Sequence, residues 1–124
     1  MKLHIDDKMT IGQLKDQFSI AFPYLKLEFF KKPHETGGIS AKQDLLDPRT
    51  VLAATRTNHS EGDFFFNGTT TVEQLESSFQ NVFGISVQVY RKSGKVWLQT
   101  VNTDSWTLIE QNEHGSFMEQ EVGE

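Results

Sequence analysis

The chain has 124 residues, with 12 Lys and Arg, 17 Asp and Glu, and no Cys. That length suits one domain able to bury about two-thirds of its unfolded surface, and the missing cysteine excludes disulfides, thiolate metal sites and a Cys nucleophile. The net charge of −5 is uneven: Glu110, Glu113, Glu119, Glu121 and Glu124 fill a C-terminal stretch without Lys or Arg, and the 12 acidic residues before it balance the 12 basic ones.

The opening "MKLHIDDKMT" has no apolar run after its charges, so it is not read as a signal peptide. No stretch approaches the ~20 apolar residues of a membrane span. A soluble, cytoplasmic protein without membrane contact is expected. Leu3 and Ile5 alternate with polar residues as in a short strand. "TIGQLKDQFSIAF" (10–22) follows, opening with Thr-x-x-Gln, a capping-box pattern in which each side chain satisfies the other's backbone amide. Ile11, Leu14, Phe18 and Phe22 recur at helical spacing, and Pro23 ends the segment. "LKLEFFKK" (25–32) reads as a strand ending in a basic pair. The polar "PHETGGISAKQ" reads as a loop, and "DPRTVL" (47–52) as a short helix capped by Asp47 with Pro48 in its first position.

The same order then repeats. Phe64 and Phe66 alternate as Leu3 and Ile5 do, and "TVEQLESSFQNVF" (71–83) aligns with 10–22 residue for residue, ending at Gly84. "ISVQVYRK" (85–92) matches the earlier strand after a one-residue shift. "RKSGKVWLQT" reads as a hairpin with Ser93-Gly94 near the turn and a return strand at about 95–101. "DSWTLI" (104–109) matches "DPRTVL" as a second short helix. Nothing beyond about residue 115 is periodic, so 116–124 is expected to be an acidic, disordered tail.

The expected fold is α+β: two β-α-β repeats, about 2–58 and 63–113, forming a single domain over 1–115. A pseudo-twofold would relate them in a ferredoxin-like sheet, with two long helices on one face plus two short helices. A β-grasp-like or other two-repeat sheet is the alternative. "TDSWTLIEQN" (103–112), with "YRKSGKVWLQT" before it, resembles a family of small bacterial proteins of unknown function. The resemblance spans most of the chain and implies no activity or site.

The chemistry-bearing residues are sparse. His4, His34, His59 and His114 are scattered, with no two at a helical or hairpin metal spacing. "PHETGG" and "KSGK" are not phosphate loops, and no nucleophile motif is present. No catalytic residue, metal site or cofactor is therefore assigned, and an enzyme or a His/Glu metal site using His59 and His114 is the weakest reading. The more informative feature is the sheet face turned from the long helices. By period two it would carry His4, Lys26, Glu28, Phe30, Phe65, Ser86, Gln88 and Tyr90, joined by Trp97. Phe30, Phe65, Tyr90 and Trp97, with Lys31, Lys32, Arg91 and Lys92 on or beside them, form the candidate binding surface. Covering by the short helices would instead make these aromatics a minor core. The expected function is a non-enzymatic binding or protein–protein interaction module, its partner a protein or a second copy. Stacking of single-stranded nucleic acid on the aromatics is the alternative, disfavoured by the neutral body, the acidic tail and the missing Lys/Arg-Gly-Phe/Tyr signature.

Overall fold

Thr10 and Thr71 open their helices through the reciprocal bonds their sequences promise. Thr10 Oγ1 accepts from Gln13 N–H at 3.2 Å while Gln13 Oε1 accepts from Thr10 N–H at 2.8 Å. The corresponding distances at Thr71 and Gln74 are 3.1 and 2.9 Å. A computed structural model describes residues 1–32 and 42–123, with side chains as far as Met118. The loop containing His34 lies outside the described residues.

The elements run β1 (Lys2–Ile5), α1 (Ile11–Ala21), β2 (Leu25–Phe30), β3 (Gly62–Phe65), α2 (Val72–Ser78), β4 (Ser86–Ser93), β5 (Val96–Gln99) and α3 (Leu108–Gly123). The fold is mixed α+β. The helix expected over 71–83 has two parts, because a π turn over Phe79–Phe83 follows α2. Gly84, at φ +66°, closes that turn in the left-handed region that glycine enters most readily.

The strands do not join into the single sheet expected from the sequence. β1 pairs antiparallel with β3, and β2, β4 and β5 form a second antiparallel sheet with β4 in the centre. The outer edge of β1 is bonded to a helix side chain instead. Gln17 of α1 accepts from His4 N–H at 2.9 Å and donates to His4 C=O at 3.2 Å. That side chain occupies the bonds another strand would need.

Between the sheets, the stripes of α1 and α2 meet the inward residues of both. Leu3, Ile5, Leu14, Phe18, Leu25, Leu27, Leu75, Phe79, Val87 and Val89 belong to one buried cluster. Its aromatic centre is continuous: Phe18 to Phe66 at 6.2 Å, Phe66 to Phe64 at 5.9 Å, and Phe64 to Phe79 at 5.1 Å between ring centroids.

The closing elements differ from the two short helices expected. Ile11 N–H donates to Thr50 C=O and Leu52 N–H to Met9 C=O. Val72 N–H likewise donates to Trp106 C=O, and Leu108 N–H to Thr70 C=O. Leu52 and Leu108 thus occupy corresponding buried places, one residue out of step with the alignment of "DPRTVL" on "DSWTLI". The cap explains why the elements diverge. Thr107 and Glu110 form a third capping box, at 3.0 and 3.2 Å, and a 16-residue helix follows. Val51 stands in the place of Thr107, has no side-chain acceptor, and leads only a single 3-10 turn, Leu52–Ala54. Asp47 does not cap a helix; its carboxylate accepts from the backbone and side chain of Arg49. α3 carries helical backbone through most of the acidic segment 116–124.

Phe18 and Phe79 are fully buried. Phe18→Ala and Phe79→Ala are each expected to lower stability by ~3–5 kcal/mol in a denaturant titration. A loss under ~1 kcal/mol at either site would show that its helix is not a core element.

Candidate functional site

Residues directly opposite in an antiparallel pair share a face. The register sets Lys26 opposite Tyr90, Glu28 opposite Gln88, Phe30 opposite Ser86, and Lys92 opposite Trp97. At one corner of this face, Lys26 Nζ lies 4.9 Å from the Trp97 ring centroid and 5.5 Å from that of Tyr90. A cation over two rings is attracted by both quadrupoles. All three side chains are half-buried. Burial, and then the charge of Glu28, push the Tyr90 phenol upward from its ordinary pKa.

The other candidate residues divide. Phe30 is only 4 % exposed, stands outside the main core cluster, and bridges to Leu45. Lys31 and Lys32 are exposed beyond the end of β2, and Lys32 Nζ is 3.8 Å from Asp44. Arg91 lies opposite Leu25 and so turns to the inner face. There it donates to Gln111 at 2.8 Å and sits 5.6 Å from the Trp106 ring, with burial lowering its pKa. Phe65 is 71 % exposed but belongs to the β1–β3 sheet, opposite Lys2, and does not join Phe30 or Tyr90. The structure therefore brings Tyr90, Trp97 and Lys92 together, adds Lys26, and separates Phe30, Phe65 and Arg91 from them.

Two histidine clusters lie elsewhere. His4 bridges two carboxylates, Nδ1 to Asp63 at 3.0 Å and Nε2 to Asp6 at 2.9 Å. The bond to Asp63 and then that to Asp6 raise its pKa above 6.5. A ring that holds its proton suits a bridge and is blunted as a general base. His4 lines a shallow groove with Met9, Gln13, Asp16 and Gln17, and the 82 % exposed Ile20 stands at its rim. His59 Nδ1 is 2.7 Å from Asp7 Oδ2, while Asp7 Oδ1 accepts from the buried guanidinium of Arg56 at 2.8 and 3.1 Å. Arg56 also donates to Phe83 C=O at 3.0 Å, pinning the chain before β3 to the end of the π turn. This clamp was not legible in the sequence, because "DD" at 6–7 and "TRTNHS" carry no spacing signal. His114 packs edge-on against Trp106 and shares no partner with His59. Among the described residues, no three His, Asp or Glu side chains are gathered to hold a metal ion, and no helix is long and apolar enough to cross a membrane.

Compared with known proteins, the chain gives no significant match to a family model, a curated protein or a solved structure.

The aromatics should separate by burial. Phe30→Ala is expected to destabilise by ~3 kcal/mol or more, and Phe65→Ser to stay within ~0.5 kcal/mol; equal losses in denaturant titrations would refute the assignment of the two sites. His4 also gives a pH dependence. Its folded pKa lies above the unfolded value, so its contribution is fully present below about pH 6.5 and disappears as pH rises through the folded pKa. The urea midpoint should fall more steeply above that pH in the native chain than in His4→Gln. Identical slopes would contradict the bridge.

Proposed function

We propose that the protein is a non-enzymatic binding module that engages a partner protein through the corner formed by Lys26, Tyr90, Trp97 and Lys92. The observation that carries this reading is that Lys26 lies over both the Trp97 and the Tyr90 ring, all three on strands rather than loops. Rigid aromatics lose little entropy on contact, and a half-wet phenol and indole offer both area and a polar tip.

Two similar halves form part of the same proposal. Asp6 and Asn67 each fold an Asx turn before a capping box, accepting from Lys8 N–H and Thr69 N–H, both at 2.8 Å. In the two ladders Leu3 lies opposite Phe64 and Glu28 opposite Gln88, the positions a pseudo-twofold would place on its axis. These features support an internal repeat. The resemblance of 103–112 to small bacterial proteins adds no activity to the reading.

Base stacking is the second reading, favoured by the juxtaposition of two rings with Lys26 and Lys92. Affinity capture with the full-length protein separates the two. Trp97→Ala and Lys26→Ala should each lose the captured protein, whereas Phe65→Ser should retain it, with all three variants folded by circular dichroism. Identical captured sets from every variant would remove the corner from the interface. Binding of oligo(dT) that is lost with Trp97→Ala and weakened by salt would favour nucleic acid.

A further inference from the structure

Among the described residues no strand pairs with the outer edge of β5. The hydrogen-bond parity of that edge can be worked out from one bond. Thr100 N–H donates to Val89 C=O at 3.3 Å. The β4–β5 register continues from that pair through Arg91–Leu98 to Ser93–Val96. Antiparallel pairs alternate between those that exchange backbone bonds and those that do not. Arg91–Leu98 and Ser93–Val96 therefore exchange bonds, and Lys92–Trp97 does not. The N–H and C=O of Trp97 point away from β4. Lys92 obeys the same parity on its other side, donating to Tyr24 C=O at 2.9 Å.

The side chains flanking this edge differ by face. Trp97 lies on the face of Lys26 and Lys92, while Val96 and Leu98, on the other face, are 56 % and 44 % exposed. The charge is one-sided. From Ile85 to Thr103 the chain carries Arg91, Lys92 and Lys95 and no Asp or Glu, in a protein with net charge −5. Glu28, on the same sheet, is already ion-paired with Lys15. A second copy docked edge to edge would set these cations against themselves, which opposes self-pairing.

We infer that the outer edge of β5 receives an extended acidic segment of a partner protein as an added strand. The inference rests on the reading of this corner as a binding surface. Main-chain bonds to Trp97 supply the pairing. Alternate acidic side chains of the added strand lie on the face of Lys26 and Lys92, and the intervening apolar ones cover Val96 and Leu98.

The test titrates the full-length protein with a short end-capped peptide alternating glutamate and valine, and with its lysine–valine counterpart. Amide exchange is followed by NMR. The glutamate peptide should slow exchange at the Trp97 amide about tenfold or more at saturation, and about 0.5 M salt should weaken it. The lysine peptide should do neither. Leu98→Glu should reduce affinity about tenfold or more while leaving the free protein folded by circular dichroism. Shifts at Lys26, Tyr90 and Trp97 side chains without protection of the Trp97 amide would overturn strand addition and leave the corner as a binding surface. Binding of oligo(dT) at these residues with no response to the peptide would overturn the acidic protein partner in favour of nucleic acid. No response to the glutamate peptide at about 1 mM would overturn the inference outright.

Discussion

The fold depends on strand pairing between the two parts of the chain. β1 has its ladder with β3 and β2 has its ladder with β4, so among the described residues only the β4–β5 hairpin closes a sheet within one part. α1 and β2 cannot bury their apolar faces until the segment after residue 60 arrives. The core follows from this, since Phe18 of α1 reaches Phe79 beyond α2 through Phe64 of β3 and Phe66 just after it. Contacts of such large sequence separation carry a loop-closure cost that local helices do not.

Local features were legible where one residue type meets one backbone requirement. The two Thr-x-x-Gln boxes, the aromatic stripes and the Ser93-Gly94 hairpin all fall where their patterns put them. Gly94 adopts φ +62° at that turn, as a tight hairpin with the right-handed strand twist demands. Strand partnership was not legible, because period two gives a face and not a neighbour. The outer edge of β1 is occupied by Gln17, whose reach to His4 is indistinguishable in sequence from that of any exposed helical Gln. The third capping box was written as Thr107-x-x-Glu110 and could have been found. The similarity of "DSWTLI" to "DPRTVL" points to Asp104 instead. The candidate surface was half legible. Tyr90, Trp97 and Lys92 share a face by alternation, but Arg91 precedes Lys92 and must turn inward, and Phe65 belongs to the other ribbon.

The two closing elements are held by different chemistry. Asp7 and Gly68 each accept from the closing element, through Ala53 N–H and Ile109 N–H. A Cβ on Gly68 would come within 2.1 Å of Ile109, whereas the corresponding Asp7 has the small Ala53 there and can use its carboxylate to hold Arg56. One closing element is thus anchored by a filled apolar contact and the other by a buried ion pair. The first is insensitive to salt, and the second is screened little because the guanidinium is fully enclosed.

Under the proposed internal repeat, the meeting of Glu28 and Gln88 limits how far the chain's two parts can resemble each other. The residues face each other across the ladder, and Gln88 is fully buried with its amide nitrogen bound to Val89 C=O. Glu28 is held by Lys15, but the side chain at the place corresponding to Lys15 is Glu76, which is committed to Val89 N–H. Perfect sameness would set glutamate against glutamate, or amide against amide, at a point where each would confront its own likeness. Two acids there would each need a cation of their own, which Glu76 cannot supply on the second side, and two amides would leave Lys15 without an anion. A symmetric pair of identical subunits would be bound to one of those outcomes. A single chain can write the two sides separately, so this position is a place where covalent linkage gives the molecule a freedom that identical subunits lack.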